Sequence, residues 1–109
     1  MRLALHDDAQ AEALQQAEWY AKRDPAVAAR LEGLIIELVE RIARDPQEFP
    51  LMEVRNNPGD IRRARVLGFP LLIIYQILAD EVLVVAFAHT SRRPGYWRSR
   101  LSRPAAGDS

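Results

Sequence analysis

A chain of 109 residues, 49% of them hydrophobic and none of them cysteine, fits one domain with a real core and excludes disulfides and thiolate-bound metals. No apolar run approaches the roughly 20 residues that span a bilayer, and MRLALHDDAQ turns acidic too soon to read as a signal peptide. Net charge is zero but divided. Residues 1–53 carry 6 Lys and Arg against 11 Asp and Glu, and residues 54–109 carry 9 against 4, all nine of those bases being arginine.

In chain order, RLALH (2–6) alternates weakly and suits a short strand, and Asp7 and Asp8 offer a helix cap. Ala13, Ala17 and Tyr20, with Leu14 beside them, mark one face of an amphipathic helix over about 9–23. Asp24-Pro25 ends it and starts a second helix over about 26–44, where Leu31, Leu34, Ile35, Leu38, Val39 and Ile42 recur at three- and four-residue spacing. So short a turn predicts an antiparallel helical hairpin. Residues 46–60 read as a loop punctuated by three prolines and by Asn56-Asn57-Pro58-Gly59.

The period then becomes two. IRRARVL (61–67) sets Ile61, Arg63 and Arg65 against Arg62, Ala64 and Val66. FPLLIIYQI (69–77) and VLVVAFAH (82–89), joined by LADE, predict a hairpin of buried strands. Leu71, Ile73, Tyr75 and Ile77 lie on one side, and Leu72, Ile74 and Gln76 on the other. His89 falls on the side of Leu83, Val85 and Phe87. Pro94 predicts a last short helix, PGYWRSRL, and the end, SRPAAGDS, reads as a frayed tail, so the domain spans 1–103 and the tail 104–109. The expected fold class is α+β, β-α-α-β-β-β-(α), with the helical hairpin on one face of a small, mostly antiparallel sheet. Two helices cover one face. The second apolar face is expected to await a partner chain.

After the last strand come His89, Arg92, Arg93, Tyr96, Trp97, Arg98 and Arg100. His89 is either a chemical group or a hydrogen-bonded anchor of the turn, and Trp97 either closes the core or meets a partner. With His6 the only other histidine, no metal and no cofactor are expected.

A-E-W-Y (17–20), I-R-R-A-R (61–65), G-F-P-L-L-I-I-Y (68–75) and A-F-A-H-T-S-R-R-P-G-Y-W (86–97) occur in the order found in one family. The chain resembles the RelE/ParE superfamily of toxins of bacterial type II toxin–antitoxin systems, on its ParE-like side. It departs at Leu71, where the family often has an aromatic residue. The resemblance implies a cytoplasmic protein neutralised by a small antitoxin. It also implies one of two targets, DNA gyrase for ParE-like toxins or ribosome-bound mRNA for RelE-like endoribonucleases. A family-fold protein that has lost toxicity and serves as antitoxin partner or co-repressor is the third possibility. For an RNase the candidates are His89, Tyr96, Arg63, Arg65 and Arg92, with Glu53 as an alternative base. Arginine stabilises phosphate charge but stays protonated, and no lysine follows Lys22, so the ParE-like reading is favoured. On that reading Arg92, Arg93, Tyr96, Trp97 and Arg98 meet the target, and Leu72, Ile74 and Arg62 meet the antitoxin.

Overall fold

The computed structural model describes residues 1–54 and 59–102; the Asn56-Asn57-Pro58 stretch and the 104–109 tail lie outside the described residues. Strand β1 (Arg2–Leu5) leads into helix α1 (Asp7–Arg23). The cap is His6, one residue earlier than expected: its Nδ1 accepts from the Asp8 N–H at 3.1 Å. Asp7 and Asp8 instead occupy the first turn, where their charges complement the helix dipole. Asp24 serves two helices. Its N–H closes α1 onto the Tyr20 carbonyl, and its Oδ1 accepts from Ala26 and Val27 at the start of α2 (Pro25–Arg44). One linking residue makes the helices antiparallel neighbours, as the Asp24-Pro25 boundary predicts.

Strands β2 (Asp60–Val66), β3 (Leu71–Ile77) and β4 (Glu81–His89) follow as an antiparallel meander. β1 joins parallel to β4, so the sheet order is β1-β4-β3-β2. Both helices lie on one face. Leu31, Leu38 and Ile42 of α2 pack with Val66, Leu71, Ile73, Tyr75, Val82, Val84 and Phe87.

The register explains one departure from strict alternation. Ile74 pairs with Ala86, but Tyr75 pairs with Val84, so Val85 is an extra residue on β4. This β-bulge resets the parity of the strand. Leu83, Val85, Ala86 and Ala88 belong to the second face, while Phe87 turns to the helices. His89 therefore shares a side with Phe87 but not with Leu83 and Val85, which corrects the sequence expectation.

The second face is also covered, and by this chain. Ile61, Ile74, Val85, Ala86 and Ala88 form a core with Trp97, which is 4% exposed, and Met52, Val54, Tyr96 and Leu101 pack around it. The expectation of an open second face is corrected: the segment after β4 folds back over it. A turn at Arg93–Tyr96 makes this possible. Gly95 has φ +78° after Pro94, and the Tyr96 N–H donates to the Arg93 carbonyl at 3.2 Å, the arrangement of a type II turn. A helix from Pro94 would need Gly95 at negative φ, so the predicted last helix shrinks to a single 3₁₀ turn at Arg98–Arg100.

The return is fastened at Gln76, a fully buried polar residue on β3, one of the two inner strands. Its Nε2 donates to the Ser102 carbonyl at 2.7 Å, and its Oε1 accepts from the Ser102 N–H at 2.8 Å. The side chain thus acts as a short strand partner for the end of the segment. Both halves of its amide are satisfied, as burial requires.

Candidate functional site: the arginine segment after β4

β1 accompanies β4 only as far as Val84. Beyond it the outer edge of β4 faces α1, and its backbone needs partners from side chains. Glu12 of α1 supplies one: its Oε1 accepts from the Phe87 N–H at 3.1 Å. Arg100 supplies the other, donating from Nη1 to the Val85 carbonyl at 3.1 Å. The two side chains also grip each other. Arg100 Nη1 lies 2.9 Å from Glu12 Oε1, and Nη2 lies 3.2 Å from Oε2. Such a bidentate fork fixes geometry as well as charge. Both side chains are nearly buried, at 12% and 13% exposure.

Tyr96 completes the group. Its hydroxyl donates to Glu12 Oε2 at 2.7 Å. Burial pushes its pKa up to about 12, and the hydrogen bond and charge of Glu12 add to the rise. Arg100 is desolvated, which works against its charge. The Glu12 hydrogen bonds and charge outweigh this and hold its pKa above the ordinary arginine value. Arg92 stacks on the outer face of the ring, its Cζ 3.9 Å from the centroid, with its nearest nitrogen 4.0 Å from Glu12.

The remaining sequence candidates fall in three places. Arg63, His89, Arg92, Arg93, Tyr96 and Trp97 line one shallow groove of about 210 Å³, so most of the RNase candidates share a surface. Within it, His89 Nδ1 accepts from the Ser91 N–H at 3.1 Å and meets the Ser91 hydroxyl at 2.7 Å, which leaves Nε2 to carry the proton of the neutral ring. The tyrosine hydroxyl is committed to Glu12, and Glu53 is exposed. Arg65 lies in a second groove of about 580 Å³, between α2 and the edge strand β2, together with Arg63, Leu67 and Leu72. Arg93 and Arg98 are exposed, and Trp97 is core.

Of the residues expected to meet an antitoxin, Leu72 is half-buried and lines both grooves. Ile74 is 1% exposed beneath the returning segment, so its side chain offers no surface. Arg62 is engaged inside the chain. It donates to both Asp60 oxygens at 2.7 and 3.2 Å and to the Gln47 and Phe49 carbonyls at 3.0 and 2.8 Å, pinning the loop after α2 to the sheet. The Asp60 hydrogen bonds are the largest reason its pKa stands above the ordinary value.

Sequence reasoning passed over Glu12, Arg100 as its partner, and Gln76. The signal for Glu12 is a carboxylate beside the Ala9, Ala13, Ala17 and Tyr20 stripe of α1. For Gln76 it is one amide inside an apolar strand. Among the described residues no group of three or more His, Cys, Asp or Glu is placed to hold a metal ion, and no helix is long and apolar enough to cross a membrane.

The fold and the sequence agree in what they are similar to. The chain is similar in structure to a protein of the chromosomal ParDE toxin–antitoxin system from P. aeruginosa, with a TM-score of 0.67 at 18% identity, over 82% of this chain and 95% of that one. No curated protein sequence matches it. The family model for the ParE toxin of the type II toxin–antitoxin system parDE matches residues 3–94. The chain therefore belongs to the ParE toxin family of type II toxin–antitoxin systems.

Proposed function

We propose that this protein is a toxin that acts by binding, that its target is DNA gyrase in the cytoplasm, and that a cognate antitoxin keeps it silent. One observation carries the reading. The segment after β4 presents Arg92, Arg93 and Arg98 outward from a buried base in which Tyr96 and Arg100 are locked to Glu12. A fixed display of arginines around an aromatic ring suits a protein interface, where arginine and tyrosine are frequent anchors. Acid–base chemistry suits it less. The Tyr96 hydroxyl is donated to a carboxylate and its pKa stands near 12, far from the neutral range where general acids and bases work well.

For the antitoxin, the groove beside β2 is the supporting feature. Residues 50–52 already pair with the outer edge of β2 through the Met52 N–H to Ile61 carbonyl and Arg63 N–H to Pro50 carbonyl bonds. By the alternation of a strand, the Arg65 backbone points to the same outer edge, beyond that pairing. Leu67 is 74% exposed beside it. Leu72, Arg65 and Arg63 are the contacts proposed for an antitoxin segment.

The shared groove of Arg63, His89, Arg92 and Tyr96 supports a second reading, a RelE-like cut of ribosome-bound mRNA with His89 as the base, which requires the ring to give up its Nδ1 bonds to Ser91 so that Nε2 is free to accept a proton. Expression in bacteria without antitoxin decides among these, with growth, plasmid topology and mRNA integrity followed together. Gyrase-trapped DNA breaks with intact mRNA are expected. Cleaved mRNA with normal supercoiling would replace gyrase by the ribosome, and unimpaired growth would leave a non-toxic partner of the antitoxin.

A further inference from the structure

We propose that Glu12 is the positioning residue of the toxin surface: from α1 it sets the placement of the arginines on the segment after β4. The inference rests on the gyrase-binding reading above and assigns the part that makes that surface rigid.

The geometry is a hub. One carboxylate accepts the Phe87 N–H at 3.1 Å, the Tyr96 O–H at 2.7 Å and two Arg100 N–H groups at 2.9 and 3.2 Å. Its partners stand 75, 84 and 88 residues away in the chain. Two of these partners then orient something exposed. Tyr96 carries Arg92 on its ring face at 3.9 Å, and the Arg92 side chain is 54% exposed. Arg100 is the last residue of the 3₁₀ turn that begins with Arg98, and its N–H bonds to the Trp97 carbonyl. Tyr96 and Arg100 lie beyond residues 3–94, the stretch matched by the family model.

Charge is essential to the hub. The Glu12→Gln change would keep the shape but bring an NH₂ donor against a guanidinium that can only donate. Arg100 would then turn toward Asp8, whose Oδ2 is already 3.7 Å from its Nε. The segment would leave the β4 edge, and Arg92 and Arg98 would lose their fixed separation. Flexible arginines bind more weakly than held ones because ordering them costs entropy on contact.

The test measures inhibition of DNA gyrase supercoiling by the purified full chain, beside its melting temperature and the exchange rate of the Phe87 amide. Glu12→Gln is expected to raise the inhibitory concentration by about tenfold or more and to speed Phe87 exchange. Tyr96→Phe, which removes a single donor, is expected to give a smaller loss. The double variant should be no weaker than Glu12→Gln alone, because both changes break one network. Ile42→Val in the helical core destabilises without touching the hub and is expected to leave inhibition unchanged, separating placement from stability. Full inhibition by Glu12→Gln would overturn the proposal, as would losses that track melting temperature in all variants. If Glu12→Gln does not fold, wild-type strength in Tyr96→Phe overturns it equally. Absence of inhibition by the wild-type chain overturns the gyrase reading itself, a distinct outcome.

Discussion

Replacing Gln76 by leucine tests how the chain covers its own second face. The two side chains are similar in size, so no large cavity term enters. What is lost is the pair of bonds to Ser102, at 2.7 and 2.8 Å. An intramolecular hydrogen bond contributes about 0.5–1.5 kcal/mol net, so the two bonds together contribute about 1–3 kcal/mol. Leucine removes the buried amide as well, which offsets part of the loss, and the Ser102 groups can turn to water. The expected change is a destabilisation of about 1–2 kcal/mol. In urea, with a slope of about 2 kcal/mol per molar for a small protein, this lowers the unfolding midpoint by about half to one molar. Circular dichroism on the purified chain reads it directly. Ending the chain at Leu101 should reproduce the loss, and combining the two changes should add nothing, because each breaks the same pair. An unchanged midpoint in Gln76→Leu, or losses that add, would refute the view that this glutamine fastens the returning segment.

Trp97→Ala should be the most damaging single change on the second face. Trp97 is 4% exposed over Ile74, Val85 and Ala88, so truncation is expected to lower stability by about 3–5 kcal/mol and to raise binding of a hydrophobic dye. The tyrosines make stability fall at high pH. Tyr75 and Tyr96 each stand near 12 in the folded chain, chiefly through burial, against 10 when unfolded. Between those values the folded state keeps a proton that the unfolded state has lost. The stabilisation is therefore complete below pH 10 and disappears by about pH 12, at up to about 1.4 kcal/mol per pH unit for each tyrosine. Tyr96→Phe should flatten this slope in a melting-temperature series; an identical slope would show that Tyr96 does not contribute. Arg62→Met should leave α1 and α2 intact but release the loop held at Gln47 and Phe49, read as faster proteolytic cleavage between residues 45 and 54.

The parts of this fold legible in the sequence are those set by local rules. Asp24-Pro25 marks both helix ends because one side chain caps and one ring forbids continuation. The alternation of β2 and β3 sorts their residues onto the correct faces, Ile61 and Ile74 away from the helices, Val66 and Tyr75 toward them. Alternation fails in β4 because a bulge is a property of two strands in register, and VLVVAFAH alone carries no mark of it. The Pro94 helix fails for a reason that is itself local, since glycine directly after proline favours a turn at positive φ over a helical first turn. The pairing of Glu12 with Tyr96 and Arg100, at separations of 84 and 88 residues, is out of reach of such rules, although its place beside the apolar stripe of α1 is legible.

The second face shows how those limits affect a functional reading. Counting only helices as cover leaves Leu72, Ile74 and Gln76 facing an absent partner. Counting the segment after β4 as cover as well buries Ile74 and Gln76 and leaves Leu72 half-buried at the margin. The large apolar side chains still exposed lie elsewhere, at Leu51 and Leu67 beside β2 and at Leu14, Trp19 and Ile36 on the helical hairpin. A partner that must bury apolar area would therefore approach the β2 edge or the helices. On the function proposed above, the arginine segment, on the side it covers, would be left for a different molecule. Separate surfaces would let a toxin hold its antitoxin and face its target with different residues, and Leu72, lining both the β2 groove and the groove below Arg92, is where the two surfaces meet.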